Sequence, residues 1–267
     1  LRKMLDTILN IDPVAFSLGP IEIRWYGLAY LTGMLLGLFY AKWIVKKFNI
    51  SNTQNITIQN IDEIFFWIVL GIIFGARFGY VVFYDPSLIL VNPLNVVAIW
   101  KGGMSFHGGA LGVILAIFFY ARLNKISIFS LGDIICSVVP IGLFFGRIAN
   151  FINSELWGTI TSKPWGVVFS NAGPLPRHPS QLYEAFFEGI LLLVILNTLL
   201  RKGFLNNSGF ISGVFLSLYA LFRIIIERFR EPDAHIGYIF EYFTMGTLLS
   251  IPMLSGIIIV YFSLRRK

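Results

Sequence analysis

Residues 61–84 read IDEIFFWIVLGIIFGARFGYVVFY. Apart from Asp62, Glu63 and Arg77 the stretch carries no charge, and roughly 20 predominantly apolar residues are what a helix needs to cross the hydrocarbon core of a bilayer. Windows of that length along the chain predict about seven spans, at about 25–45, 61–84, 107–123, 126–145, 181–200, 209–228 and 239–263. The third is short and is open to a partly re-entrant reading. Composition points the same way. The 267 residues are 56% hydrophobic, 16% aromatic and 13% charged, whereas about a quarter of the residues of a soluble domain are charged. Mean hydropathy is +0.75. The expected fold class is therefore an all-α integral membrane protein. Its expected organisation is one domain over residues 1–267, with an N-terminal arm over 1–23 and polar connections at 85–106 and 146–180.

Prolines support the boundaries. Pro86, Pro93, Pro164, Pro174, Pro176 and Pro179 fall between spans, where the backbone need not stay helical. Pro140 and Pro252 fall inside spans and are expected to kink them. The 21 Lys+Arg against 14 Asp+Glu give +7, but the basic residues are scattered among apolar runs and form no soluble basic face, so nucleic-acid binding is excluded. The single cysteine, Cys136, excludes an internal disulfide and reads as a small buried hydrophobe. Arg2 and Lys3 are followed by Asp6, Asp12, Pro13 and Pro20 with no small-residue cleavage site, which does not read as a removable signal peptide.

Orientation is read from short links. With the N-terminus outside and the C-terminus inside, Lys42, Lys46, Lys47, Arg122, Lys125, Arg201, Lys202, Arg265, Arg266 and Lys267 all fall on the cytoplasmic side against helix ends. Arg77, Arg147, Arg223, Arg228 and Arg230 lie within or at the edge of spans, where charge marks function rather than topology. This arrangement puts His107, His178, His235 and both long connections on the outer face.

Five segments concentrate polar chemistry. Residues 146–158, GRIANFINSELWG, bring Arg147, Asn150, Asn153 and Glu155 to the end of an apolar span. Either Arg147 pairs with Glu155 as an interfacial anchor, or its guanidinium holds a phosphate by paired donors. Tyr219, Arg223, Glu227 and Arg230, at steps of four, four and three, are expected on one helical face. An intrahelical ion-pair ladder would be worth tenths of a kcal/mol, whereas placing Arg223 mid-membrane costs at least about 2.5 kcal/mol; the balance favours function. His107 stands among Gly102, Gly103, Gly108 and Gly109 where a helix begins, either as a spacer or as a base. Residues 177–184, RHPSQLYE, open the fifth span, with Ser180 a candidate cap. Arg24, Trp25 and Tyr26 open the first, where aromatics usually anchor the interface.

Taken together, Arg24 to Tyr26, residues 75–80 (GARFGY), His107-Gly108-Gly109, residues 146–158, His178 to Glu184 and the Tyr219 to Arg230 helix resemble the prolipoprotein diacylglyceryl transferase family, in family order and over nearly the whole chain. Ala110 departs from the larger apolar residue usual after His-Gly-Gly. The resemblance implies a reaction at the outer face of the bacterial cytoplasmic (inner) membrane. The thiol of a lipobox cysteine in a prolipoprotein attacks the phosphate-bearing glycerol carbon of phosphatidylglycerol, giving a thioether and glycerol phosphate. It also implies roles for His107, Arg147 and Arg223, supported by Tyr26, Asn150, Glu155, Gly158, Tyr219 and Glu227. Chemistry agrees. A thiol with a pKa of about 8.5 needs a base or cation to become thiolate, for which His107 is the candidate. The leaving phosphate gains charge, which Arg147 and Arg223 would stabilise while Glu227 and Glu155 orient them, with Arg230 adding a lipid contact. Tyr26 or Tyr219 would hydrogen-bond lipid or thiol. The nucleophile belongs to the substrate, so no catalytic cysteine is needed. Neither a nucleotide loop nor a closely spaced metal-ligand set occurs, so no cofactor is expected unless the three histidines converge on zinc. Two other classes compete: an anion transporter, whose paired interrupted halves are not evident here, and a noncatalytic scaffold for signal segments.

Overall fold

The computed structural model describes residues 14–19, 21–232, 237, 239 and 243–265. Among these, six helices are long and apolar enough to cross a membrane: α1 (Trp25–Lys47), α2 (Ile58–Phe83), α4 (Ile128–Ile152), α5 (Ser180–Arg201), α6 (Phe210–Glu227) and α7 (Met245–Arg265). The shorter α3 covers Phe106–Leu123. All seven predicted spans are present as helices. The chain forms two compact units, Leu1–Tyr40 with Ile135–Lys267, and Ala41–Ile134.

In the first unit a two-stranded antiparallel hairpin, β1 (Val14–Leu18) and β2 (Ile21–Arg24), leads directly into α1. Gly19 at φ +61° makes its turn, a conformation open to glycine at no steric cost. The helices pack through glycine. A Cβ on Gly33 would lie 3.1 Å from the Gly142 Cα, and one on Gly213 would lie 2.6 Å from the Gly256 carbonyl, the small-residue contact by which membrane helices approach closely. Pro140 sits inside α4, which continues through it. Pro252 instead falls in a 3-10 stretch, Ile251–Ser255, that interrupts α7.

The connection after α4 is a folded cap rather than an open loop. Phe151, Val167 and Phe169 are buried together, with Trp157 and Leu182 packed on them. Backbone pairing closes it: Gly158 N–H donates to His178 O (2.9 Å), His178 N–H to Thr159 O (3.0 Å) and Thr159 N–H to Phe229 O (2.9 Å).

In the second unit α2 starts with a capping box in which Thr57 Oγ1 accepts from Asn60 N–H and Asn60 Oδ1 from Thr57 N–H. Its far end explains why α3 is short. Ser105 N–H donates to Ala76 O at 2.8 Å, and the buried Arg77 guanidinium donates to the carbonyls of Asn95 (2.5 Å), Val96 (2.9 Å), Gly103 (3.1 Å) and Gly102. The connection thus folds back alongside α2, and α3 begins level with Ala76, about 10 Å before α2 ends. Non-helical backbone at such depth survives only where its polar groups are satisfied by protein, which is the role of Arg77. The Gly71, Gly75 and Gly108, Gly112 faces of α2 and α3 touch so closely that a Cβ on Gly75 would lie 2.9 Å from the Gly112 Cα. Gly75→Leu should therefore destabilise the protein by at least about 1–3 kcal/mol. An unchanged melting midpoint in detergent would show that α2 and α3 do not cross there.

Candidate active site

Hydropathy predicts that α4 stops near residue 145, but the helix runs to Ile152. Arg147 and Asn150 are helical residues, not members of a loop. The helix ends on Ser154 at φ +53°, with Glu155 N–H returning to Asn150 O (3.0 Å) and Ser154 N–H to Phe151 O (3.1 Å), the paired bonds of a left-handed C-terminal cap. That turn brings the Glu155 carboxylate back over the last helical turn, where Asn150 Nδ2 donates to it at 2.7 Å.

Opposite Arg147 stands α5. Its second turn departs from α geometry in a π segment, Ala185–Leu191, a distortion that concentrates at functional sites. Glu184 immediately precedes the segment and Glu188 lies in it; both side chains are 0% exposed. Arg147 holds its Nε 3.1 Å from Glu184 Oε2 as an ion pair and donates from Nη2 to Glu188 Oε2 (3.4 Å). Arg223, on α6, places Nη1 on Glu184 Oε1 and Nη2 3.1 Å from Glu227 Oε2. Its Nη1 lies 3.7 Å from Glu188 Oε1. Arg230 Nη1 reaches Glu184 Oε1 at 3.2 Å. Three guanidinium groups and three carboxylates therefore interlock with no net charge. Tyr219, one turn before Arg223, lies within electrostatic reach of Glu188, Arg147 and Arg223. An isolated charge at such depth is prohibitive, whereas these are paired; Glu184 Oε2, Glu188 Oε1 and Glu227 Oε2 are nevertheless buried without a hydrogen bond, held by ion pairs alone. Here two arginines with planar arrays of donors share one carboxylate between membrane helices, an arrangement suited to bidentate capture of an anionic oxygen group.

Residues 13–263 match the family model for prolipoprotein diacylglyceryl transferase. The chain belongs to this family. Relatives named phosphatidylglycerol–prolipoprotein diacylglyceryl transferase include those of Rhizobium meliloti (strain 1021), 52% identical over 91% of this chain and 89% of the relative, and Rickettsia felis, 52% identical over 93% and 95%. That of Nitrobacter winogradskyi is 49% identical over 97% of this chain and 90% of the relative. With its six apolar spans and these bacterial relatives, this diacylglyceryl transferase family member is a multi-pass protein of the bacterial inner membrane.

Several expected pairings are corrected by the geometry. Arg147 pairs with Glu184 and Glu188 and not with Glu155, whose carboxylate takes the Asn150 amide and orients no guanidinium. Tyr26 joins this second cluster, its hydroxyl 3.1 Å from that of Tyr30 and beside Asn150 and Glu155. The expected Arg223–Glu227 pair forms. Arg230 is not on the face of α6, because the helix ends at Glu227 and the chain turns so that Arg230 bridges with Gly158 and Glu231 N–H donates to Trp157 O. Its side chain still converges on Glu184. Gly158 is where three segments meet: a Cβ there would lie 2.6 Å from His178 O and collide with Phe229 O.

Ser180 does not cap α5. Pro179 holds the cap position, Ser180 Oγ donates to Leu156 O (3.0 Å), and Gln181 Nε2 donates to Glu155 O (2.6 Å). Those two bonds tie the start of α5 to the α4 cap. His178 Nδ1 lies 3.0 Å from the Tyr183 hydroxyl, which accepts from Trp165 Nε1 at 2.8 Å. Burial, with the charge of Lys163 added, holds His178 below its ordinary pKa. His107 is exposed in the second unit, at the second position of α3, whose cap Ser105 accepts from Gly108 N–H. His235 lies outside the described residues. Glu184 and Glu188 were missed as the centre of the site, although two carboxylates four apart in an apolar span carry the same signal that marked Arg223.

Proposed function

We propose that this chain transfers the diacylglyceryl group of phosphatidylglycerol to the lipobox cysteine of prolipoproteins, the first step of lipoprotein maturation. The observation that carries the reading is the convergence of Arg147 and Arg223 on the buried Glu184 carboxylate. The lipid phosphodiester exchanges places with a carboxylate in this network. Glu188, held at 3.4 and 3.7 Å, is the loosest partner and the one that yields. The cysteine sulfur attacks the glycerol carbon bonded to phosphate; the carbon–sulfur bond forms as the carbon–oxygen bond breaks, and glycerol phosphate leaves with the electron pair. Donors already aimed at that oxygen in a dry site stabilise the charge it gains. Arg230 and Tyr219 complete the phosphate side. Tyr26, Asn150 and Glu155 hold the glycerol or the thiol, and Gly158 keeps the cap closed over α4. The chain works as one domain with its N-terminus outside, so the site faces the outer leaflet. His107 takes the thiol proton.

The decisive experiment mixes purified protein with phosphatidylglycerol vesicles and a lipobox peptide. Thioether-linked peptide and stoichiometric glycerol phosphate are expected; peptide binding without release, or anion flux without transfer, overturns the reading. For the base, His107→Gln should reduce the rate and alter its pH dependence. A rate and pH profile identical to the parent's would assign proton removal elsewhere.

A further inference from the structure

Glu227 is held from a side that plays no part in the transfer reading so far. Its Oε2 meets Arg223 Nη2 at 3.1 Å, while its Oε1 lies 2.9 Å from Thr244 Oγ1, in a fully buried contact. The Thr244 hydroxyl has three neighbours. It accepts from Thr247 N–H at 3.2 Å as the cap of α7, and it lies 3.1 Å from Thr247 Oγ1. A threonine hydroxyl has one proton and two lone pairs. With Thr247 N–H and O–H filling both lone pairs, the single proton goes to Glu227. Two residues on, Gly246 presses its Cα against the same carboxylate: a Cβ there would lie 2.5 Å from Oε1, 2.7 Å from Cδ and 2.8 Å from Oε2. The carboxylate is thus gripped by a hydrogen bond on one edge and by bare backbone on its face, leaving Oε2 as the oxygen that faces Arg223.

We propose that Thr244 and Gly246, at the start of α7, are positioning residues for diacylglyceryl transfer. They fix the rotamer of Glu227, and through it the direction in which Arg223 presents its guanidinium to the lipid phosphate. This rests on the proposed role of Arg223. Arg223 is anchored on both sides, by Glu184 on α5 and by Glu227 on its own helix. Without the Thr244 bond one anchor is free to turn, and the guanidinium loses its aim while keeping its charge.

The test compares Thr244→Ser, Thr244→Val and Gly246→Ala in the vesicle assay, with Arg223→Ala as reference. Serine keeps the hydroxyl and should retain the parent kcat. Valine is close in shape but cannot donate, and should lower kcat about ten- to a hundredfold, the range of a lost hydrogen bond to a charged group. KM for the lipobox peptide should stay near that of the parent, while the melting midpoint should fall with the lost cap and the lost bond to Glu227. Gly246→Ala should lower kcat in the same way. In a Glu227→Gln background, Thr244→Val should cost less than about twofold more, because the two substitutions act on one contact. Parent-like kcat in the valine variant, an equal loss in the serine variant, or additive losses in the double variant would overturn the proposal. Should valine fail to fold, Thr244→Ala carries the same comparison. An Arg223→Ala protein that still transfers would instead sink the transfer reading itself, so the two failures are distinguishable.

Discussion

Glu184→Ala is expected to be the most damaging single substitution in the chain. It lowers stability by about 3–5 kcal/mol and abolishes transfer. The carboxylate is fully buried and takes Arg147 on one oxygen and both Arg223 and Arg230 on the other. Removing one partner of a buried ion pair strands the other charge, which is the origin of that magnitude. Here three guanidinium groups would be left with Glu188 and Glu227 alone, one positive charge in excess between membrane helices. Glu184→Gln keeps the volume and one acceptor oxygen but not the charge, and should fall between parent and alanine. Melting midpoints in detergent, measured alongside transfer, check both. A Glu184→Ala protein that melts within a degree of its parent would mean that the arginines are solvated and the ion network contributes little.

How much of this was legible beforehand depended on whether the signal was local. Spans were legible, because hydropathy over 20 residues responds to the same apolar surface that lipid requires. The end of α4 was not. Arg147 lowers the local hydropathy as a loop would, yet the helix persists because its charge is met by Glu184 and Glu188 from another helix. Likewise Arg230 keeps the spacing of the α6 face, but pairing of Gly158 with Arg230 pulls the chain off that helix. The hairpin leaves a local trace in the alternation of Ile21, Glu22, Ile23 and Arg24, overshadowed by the aromatic start of α1. Arg223 and Glu227 were found by spacing, since their contact is made within one helix. Thr244 had no visible role, because its partner lies 17 positions away and a lone threonine before a helix reads only as a cap.

Arg147→Lys and Arg223→Lys separate charge from geometry and should both fail. Each arginine serves two carboxylates at once: Arg147 uses Nε and Nη2, and Arg223 uses Nη1 and Nη2. A lysine ammonium is a point charge on a flexible stem and cannot present donors along two fixed directions. If catalysis depended only on positive potential at the lipid phosphate, lysine would restore most of the rate lost in the alanine variants. Because the leaving oxygen must find donors already aimed, each alanine variant is expected to lose at least about 100- to 1,000-fold in kcat, the scale of removing one preorganised oxyanion donor. Lysine should recover less than about a tenth of that loss. The decrease belongs in kcat rather than in KM for phosphatidylglycerol, since residual charge still draws the anionic headgroup while the bond-breaking step goes unsupported. Glycerol phosphate release under saturating lipid measures this directly. Either lysine variant working within about threefold of the parent would show that the guanidinium fork has no special part in the transfer.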